Sequence, residues 1–234
     1  MSEAKVYQMY INGEFLNHVE TEPVINPSDK QIISYIPKGT VDDVNQAVEA
    51  AQEAQISWEK LPAIERASYL KKIAQKIRDN ASMLARVITE EQGKVLALAT
   101  VEVNFTADYM DYVAEWARRY EGEIIQSDRP NENIFLFKLP IGIAAGILPW
   151  NFPFFLIARK LAPALLTGNT IVIKPSSETP NNAFEFAKLV DEVGLPKGVF
   201  NLISGSGKEV GNPLAGHEKV GIVSFTGSVP TGVK

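Results

Sequence analysis

The sequence predicts an α/β fold in which a parallel sheet follows an N-terminal block of helices. In the last hundred residues, four apolar runs alternate with three helical segments, which is typical of parallel strands covered by helices on both faces. Between residues 40 and 120, apolar residues recur at helical spacing and are separated by helix-capping and helix-ending residues. At 234 residues, the chain is long enough for one large domain or two small ones.

The first forty residues are rich in turns and predict short strands. Residues 10–15 contain Asn12-Gly13, the pair most typical of a tight hairpin. Residues 24–26 and 32–36 are predicted as further strand pieces, each followed by a proline.

Helices are predicted over most of residues 41–120. Thr40 and Asp43 have the spacing of a capping box for the first helix. Pro62 suits the first turn of the second helix, and Asn80 is predicted to cap the third, which Gly93 interrupts. The inward faces are predicted to include Val41, Val44, Ala47, Val48, Ala51 and Ala54 in the first helix, Ile64, Ala67, Leu70, Ile73, Ala74 and Ile77 in the second, and Leu84, Val87 and Ile88 in the third.

A fourth and longer helix is predicted over residues 97–120, ending at Gly122. Four aromatic residues recur along it at spacings of three or four: Phe105, Tyr109, Tyr112 and Trp116. Such a stripe is most simply explained as core packing rather than as a cofactor-binding feature.

Residues 122–140 predict a β-hairpin. Two β-prone runs, residues 123–125 and 134–138, flank Asp128-Arg129-Pro130-Asn131, which is a strong turn signal. A hairpin that projects from the molecule is a candidate arm for association with other chains.

From residue 141 onwards, strands and helices alternate. The predicted strands are residues 141–148, 170–174, 199–203 and 220–225, and the predicted helices are residues 154–166, 181–193 and 208–215. Right-handed crossovers between such parallel strands give a Rossmann-like dinucleotide fold, whose ligands bind at the carboxyl ends of the strands. The chain therefore divides into residues 1–121, with strands and the helical block, the hairpin of residues 122–140, and the Rossmann-like units of residues 141–234.

Composition excludes several classes of function. A net charge of −5 with scattered basic residues argues against nucleic-acid binding, which needs a basic face. Residues 139–158 carry no charge, but Pro149, Asn151 and Pro153 interrupt them, so a membrane helix is not expected. His18 and His217 are far apart in sequence without a cluster of ligands, and no metal site is predicted.

The chain contains no cysteine. Disulfides, thiolate metal sites and a cysteine nucleophile are therefore excluded within these 234 residues. The first residues do not resemble a signal peptide, and the expected compartment is the cytoplasm.

Polar or glycine-rich turns follow all four predicted strands of the last hundred residues: residues 147–153, 174–177, 204–211 and 226–228. Glycines let backbone amides approach a phosphate, and a helix N-terminus adds partial positive charge. Taken alone, Gly205, Gly207 and Gly211 miss the usual dinucleotide-binding spacing, and a plain helix-entry turn remains an open alternative.

The combination of motifs is more specific than any one of them. Pro149-Trp150-Asn151-Phe152-Pro153, then Lys174-Pro175-Ser176, then Phe225-Thr226-Gly227-Ser228, in that order and spacing, resembles the aldehyde dehydrogenase family. The resemblance covers the whole chain and corresponds to the N-terminal, cofactor-binding portion of that family. Residues 109–128 and 154–160 are most similar to lactaldehyde and glycolaldehyde dehydrogenases.

The resemblance implies roles for individual residues. Asn151 matches the asparagine of the family's oxyanion hole, Lys174 matches the lysine that binds the adenosine ribose, and Ser228 matches a serine that contacts the pyrophosphate. Gly207 and Gly211 match the helix turn beside the adenine and pyrophosphate. The implied binding site for NAD or NADP comprises Ile147, Leu148, Pro149, Trp150, Asn151, Lys174, Ser176, Ser177, Gly207, Gly211, Phe225, Thr226, Gly227 and Ser228.

Ser177 departs from the pattern of many NAD-preferring relatives, which have a glutamate three residues after the lysine. That glutamate repels a 2′-phosphate, so the resemblance predicts that NADP is accepted alongside NAD.

For the substrate, the resemblance implies contacts with Phe152, Phe155 and Arg159. Asn151, Phe155 and Arg159 are spaced by four and are predicted to share one face of the helix entering the site. A guanidinium suits a small, oxygen-rich aldehyde, although Arg159 in a surface or interdomain ion pair remains an alternative.

The resemblance further implies a cysteine nucleophile and a general-base glutamate, both expected beyond Lys234. Oxidation of a small hydroxyaldehyde through a thioester would then need residues that these 234 do not include. Three alternatives follow: part of a working dehydrogenase, which we favour and which in this family forms homotetramers or homodimers; a non-catalytic NAD(P)-binding half that needs a partner chain; and an inactive truncated product.

Overall fold

The computed structural model describes residues 4–233 and contains three sheets and a block of helices. The strands are β1 (Lys5–Val6), β2 (Met9–Ile11), β3 (Glu14–Leu16), β4 (Thr21–Ile25), β5 (Ile32–Pro37), β6 (Glu123–Gln126), β7 (Asn133–Leu136), β8 (Ile143–Ile147), β9 (Thr170–Lys174), β10 (Phe200–Leu202) and β11 (Val220–Phe225). The helices are α1 (Val41–Trp58), α2 (Ala63–Asp79), α3 (Ala81–Gln92), α4 (Leu96–Ala114), α5 (Phe155–Leu166), α6 (Asn181–Val193), α7 (Asn212–Ala215) and α8 (Val229–Gly232).

The main sheet has six strands in the order β11-β8-β9-β10-β2-β3. Strands β8 to β11 are parallel, as the alternation of strands and helices predicts. Two antiparallel strands from the first forty residues extend the parallel part of the sheet, because β2 pairs antiparallel with β10 and continues into β3. The turn between β2 and β3 is the predicted one, with Asn12 and Gly13 both at positive φ.

Helices cover the parallel strands unequally. One face of the sheet packs on α1, and the other packs on α5 and α6. Strand β11 lies at the edge of the sheet and is largely exposed. The prediction that both faces are covered therefore holds for β8, β9 and β10 and not for β11.

In the helical block, the capping box of α1 is confirmed. The Asp43 side chain accepts from the backbone N of Thr40 at 2.7 Å, and the Thr40 hydroxyl accepts from the backbone N of Asp43 at 3.4 Å. The side-chain cap predicted for Asn80 is wrong, since its amide donates backwards to the carbonyl of Lys76 at 2.9 Å. Gly93 ends α3 at φ +76°, a conformation that glycine adopts without strain.

The prediction that the aromatic stripe along α4 packs in the core is wrong for three of its four residues. Only Tyr109 packs, partly buried, against the core, and Trp116 lies in a 3₁₀ turn, Glu115–Arg118, that follows α4. Phe105, Tyr112 and Trp116 are 53%, 54% and 43% exposed. The helical period is right, but the core lies on the neighbouring face of α4, formed mostly by small and aliphatic residues: Ala99, Val103, Thr106, Ala107 and Met110. Val41 and Ile64 are also exposed rather than inward-facing.

Strands β6 and β7 form the predicted hairpin as a separate two-stranded sheet. Every residue of both strands is exposed. The turn includes Asn131 at φ +63°, which suits an asparagine. A role for this hairpin in association stays a prediction.

No helix among residues 4–233 has both the length and the apolar character needed to cross a bilayer.

Candidate functional site

The carboxyl ends of four parallel strands meet at one edge of the main sheet. Within that edge, the backbone N of Leu148 donates to the carbonyl of Lys174 at 3.0 Å, and the backbone N of Thr226 donates to the carbonyl of Ile147 at 3.1 Å. Chain order runs from β8 through β9 to β10 in one direction and then returns to β11 on the other side of β8. Such a reversal leaves a crevice outside the strand ends, where ligands of α/β sheets bind.

Lys174 ends β9 and is buried. Burial lowers the pKa of its ammonium to about 8, although the carboxylate of Glu22 raises it. Within residues 4–233, the only hydrogen bond of Nζ is to the carbonyl of Pro175, at 3.0 Å. A lysine ammonium has three donors, so this group is suited to bind an external acceptor.

The loop after β10 folds against the start of α1. Gly205 has φ +136°, and a Cβ there would lie 2.6 Å from Val210 and 3.1 Å from Gly39. The Ser206 hydroxyl accepts from the backbone N of Glu209 at 3.0 Å and opens a π-helical turn, Gly207–Gly211, which runs into α7. The helix predicted over residues 208–215 is therefore present, but its first turn is π-helical and only its second part, α7, is α-helical.

Two glycines of this turn lie in different surroundings. A Cβ at Gly207 would meet nothing within 4 Å, so this backbone is open to a ligand. A Cβ at Gly211 would lie 3.7 Å from the Lys174 side chain. The turn and the lysine predicted to bind the cofactor are therefore neighbours.

Ser176 and Ser177 follow Lys174 and are half-buried. The Ser176 hydroxyl accepts from the backbone N of Glu178 at 3.2 Å. The Ser177 hydroxyl donates to the carbonyl of Gly205 at 3.3 Å and so links the loops that follow β9 and β10.

The end of β11 carries Phe225, Thr226, Gly227 and Ser228. The ring of Phe225 lies against Gly227, where a Cβ would be 2.3 Å from the ring. The Ser228 hydroxyl shares a hydrogen bond of 2.9 Å with that of Thr231 in α8.

Lys160 was not among the predicted site residues, yet it lies at this end of the sheet. It is buried on α5 and donates to the hydroxyls of Ser224 at 3.0 Å and Thr226 at 2.9 Å. Burial lowers the pKa of Lys160 to about 8, and neighbouring Arg159 lowers it further. The available signal was a charged residue on the apolar side of a buried helix.

Asn151 lies in the loop between β8 and α5, with its side chain exposed. The prediction that Asn151, Phe155 and Arg159 share a helix face is wrong for Asn151, because α5 begins at Phe155 and the carbonyl of Phe152 is its first acceptor. Phe155 and Arg159 do lie one turn apart on α5. Phe155 stacks on the α4 stripe, with ring centroids 4.6 Å from Phe105 and 5.5 Å from Tyr109.

Two buried carboxylates of the helical block cap the helices that flank the site. Glu102 accepts from the backbone N atoms of Phe154 and Phe155, at 3.0 and 3.1 Å, at the start of α5. Glu91 accepts from the backbone N atoms of Asn181 and Asn182, at 2.6 and 3.0 Å, at the start of α6. Burial raises the pKa of Glu91 to about 8 against the effect of these donors.

In the part of the chain that the structure describes, no three His, Asp or Glu side chains cluster in a way that could hold a metal ion.

The family is decided by sequence comparison. The model of the aldehyde dehydrogenase family matches residues 16–234. The chain belongs to the aldehyde dehydrogenase family. A curated relative, lactaldehyde dehydrogenase of Escherichia coli K12, is 61% identical over 236 residues, which cover 100% of this chain and 49% of the relative.

Solved structures of aldehyde dehydrogenases agree with the fold. A lactaldehyde dehydrogenase structure superposes with a TM-score of 0.97 at 61% identity, covering 98% of this chain and 49% of that one. A structure of 3,6-anhydro-L-galactose dehydrogenase in complex with NAP superposes with a TM-score of 0.95 at 43% sequence identity. The match covers 98% of this chain and 48% of that one. A structure of betaine aldehyde dehydrogenase from Staphylococcus aureus in complex with NAD+ superposes with a TM-score of 0.94 at 37% sequence identity. The match covers 97% of this chain and 47% of that one. The chain spans about half the length of the relatives it matches.

Proposed function

We propose that these residues form the cofactor-binding half of an NAD(P)-dependent dehydrogenase that oxidises a small hydroxyaldehyde, such as lactaldehyde or glycolaldehyde. One observation carries the proposal: Lys174, the open turn at Gly207, the end of β11 and the Asn151 loop all lie at one edge of the parallel sheet. The family membership and the 61% identity to a lactaldehyde dehydrogenase support the choice of reaction and substrate.

The residues present fit a dinucleotide. Lys174 has ammonium donors to offer a ribose, and Gly207 exposes a backbone that a phosphate can approach. When bound, the nicotinamide supplies a hydride acceptor. We assign Ile147, Leu148, Pro149, Trp150, Ser176, Ser177, Gly211, Phe225, Thr226, Gly227 and Ser228 to the same binding site.

Asn151 would act on the substrate. An amide donor aimed at an oxyanion that develops during the reaction stabilises the transition state by about 3 kcal/mol. Residues 1–234 contain no cysteine, so they cannot supply the thiolate that attacks the aldehyde. We propose that the carboxylate that activates water also lies outside these residues. We therefore propose that residues 1–234 bind the cofactor alone and oxidise aldehydes only together with a catalytic half.

For the substrate, we propose contacts with Phe152, Phe155 and Arg159. Arg159 is exposed on α5 and has no ion-pair partner in residues 4–233. This environment leaves the guanidinium open to a hydroxyl or carboxylate oxygen of a small substrate.

A hybrid enzyme tests this function: residues 1–234 followed by the remaining half of the E. coli lactaldehyde dehydrogenase. We expect it to reduce NAD and NADP in the presence of lactaldehyde, and Asn151→Ala to lower kcat/KM by roughly 100-fold or more. A folded hybrid that binds cofactor without oxidising any small aldehyde would contradict the proposal.

The binding role of residues 1–234 is tested separately by fluorescence titration with NADH and NADPH. Saturable binding is expected for the chain without the catalytic half. Absence of saturation up to millimolar nucleotide would refute a cofactor site within these residues.

A further inference from the structure

Within residues 4–233, the backbone groups of Trp150 and Asn151 make no hydrogen bond to other backbone groups. Asn151 lies between β8, which ends at Ile147, and α5, which begins at Phe155. Its side chain is exposed and makes no hydrogen bond within residues 4–233. An oxyanion donor has to be held within about 0.5 Å of its working position by groups that surround it. Other residues must therefore hold this loop.

The backbone carbonyls of Trp150 and Asn151 both accept from side chains of the helical block, and the Trp150 carbonyl also accepts from the Thr179 hydroxyl at 3.3 Å. Gln92 Nε2 donates to the carbonyl of Trp150 at 3.0 Å and to the carbonyl of Asn151 at 2.8 Å. Lys94 Nζ donates to the carbonyl of Asn151 at 3.0 Å. These are well-formed hydrogen bonds, and they join residues almost sixty positions apart in the chain.

One of the two donors, Lys94, is itself held in place. Lys94 pairs with Glu102, whose side chain is almost completely buried, and the Lys94 ammonium lies 4.2 Å from the centroid of the Phe152 ring. Glu102 in turn accepts from the backbone N atoms of Phe154 and Phe155. The segment 150–155 is thus held at both ends by one connected set of side chains.

We infer that Gln92 and Lys94 are positioning residues for Asn151. They touch neither substrate nor cofactor, and they act by fixing the backbone from which the Asn151 amide projects. This inference rests on the proposed function, because it assigns a purpose to the rigidity of that loop. It predicts that the contribution of Gln92 to the reaction disappears when the Asn151 amide is absent.

Gln92→Glu is the sharpest variant, because it keeps the shape of the side chain and replaces the donor with a carboxylate oxygen facing two carbonyls. The matched control is Gln52→Glu, on the exposed side of α1, which makes the same change in charge. In the hybrid enzyme, we expect Gln92→Glu to lower kcat/KM for lactaldehyde roughly tenfold, and Gln52→Glu to leave it unchanged.

A double-mutant cycle separates positioning from general destabilisation. In the Asn151→Ala background, Gln92→Glu is expected to change kcat/KM by less than about twofold, since the group that it positions is gone. A tenfold loss in both backgrounds, or no loss in either, would overturn the inference. If Gln92→Glu fails to fold, as judged by circular dichroism, Gln92→Ala replaces it in the same cycle.

The two proposals fail in different ways. Insensitivity of the hybrid enzyme to Asn151→Ala would refute the proposed role of Asn151, and the positioning role with it. Sensitivity to Asn151→Ala combined with insensitivity to Gln92→Glu would refute the positioning role alone.

Discussion

At the scale of single residues, we predict that Ser177 determines which nucleotide the proposed cofactor site accepts. Its hydroxyl is hydrogen-bonded to the carbonyl of Gly205 and carries no charge that would repel a 2′-phosphate. We predict that Ser177→Glu weakens NADPH binding about tenfold or more relative to NADH. Two unit charges about 4 Å apart interact by about 1–4 kcal/mol between bulk water and a protein surface.

The matched control for this change is Ser177→Gln, which adds a side chain of the same size without its charge. Titrations of both variants with NADH and NADPH check the prediction. Equal ratios of the two dissociation constants in Ser177→Glu and Ser177→Gln would show that charge at this position does not determine the preference.

The titration of Lys174 predicts that nucleotide binding at the proposed site depends on pH. Its pKa is lowered to about 8 by burial, so the ammonium is charged below that pH and loses its charge above it. A hydrogen bond from a charged donor exceeds a neutral one by about 1–1.5 kcal/mol. We therefore predict that the Kd for NADPH rises roughly five- to tenfold as pH increases through about 8, measured by fluorescence titration.

A second lysine in the site, Lys160, also has a pKa of about 8, and two arginine variants separate their effects. Lys174→Arg stays charged throughout this range and is expected to give a flat profile. Lys160→Arg is expected to keep the wild-type dependence. The reverse assignment would mean that Lys160 is responsible.

How well a site residue can be predicted from the sequence depends on how far apart in the chain the residues that position it are. The strand-end residues followed from local pattern, because parallel strands bring their carboxyl ends to one edge whatever the rest of the chain does. Gln92 and Lys94 reach the Asn151 loop only through tertiary packing, from positions almost sixty residues away. No pattern in the sequence predicts a contact between residues so far apart in the chain.

At the scale of elements, local sequence signals predicted where helices and turns begin and end. They were less reliable for which face of a helix meets the core. Helix α6 has the predicted bounds, 181–193, and the Asn12-Gly13 hairpin and the Thr40–Asp43 capping box are confirmed. Each of these depends on interactions between near neighbours in sequence.

The errors concern which partner an element meets. The α4 stripe has helical period, but periodicity does not distinguish a face that meets the core from one that is left exposed. The hairpin β2–β3 was predicted from its turn, while its pairing with β10 joins residues more than 190 positions apart. Asn151 has the spacing of a helical residue but lies before α5, whose N-cap residue is Phe154.

At the scale of the whole molecule, exposed apolar side chains occur along much of the chain. Several of them are neighbours on the same element, namely on the α4 stripe, the hairpin β6–β7 and the edge strand β11. Contiguous apolar surface of this kind marks interaction sites, and an unpaired edge strand offers a further place for pairing. We therefore predict that these surfaces take part in association.

The hairpin provides the test of association. Ile124 and Phe135 are directly opposite each other in the β6–β7 ladder and are 79% and 57% exposed. If this hairpin is an association arm, burying the two side chains stabilises each contact by about 1.5–3 kcal/mol per side chain. We predict that the double variant Ile124→Ser, Phe135→Ser weakens self-association at least roughly 100-fold, measured by sedimentation velocity over a range of concentrations. Val19→Ser removes a fully exposed apolar side chain outside the hairpin and is expected to leave association unchanged, whereas equal weakening by both variants would indicate non-specific hydrophobic contact instead of an arm.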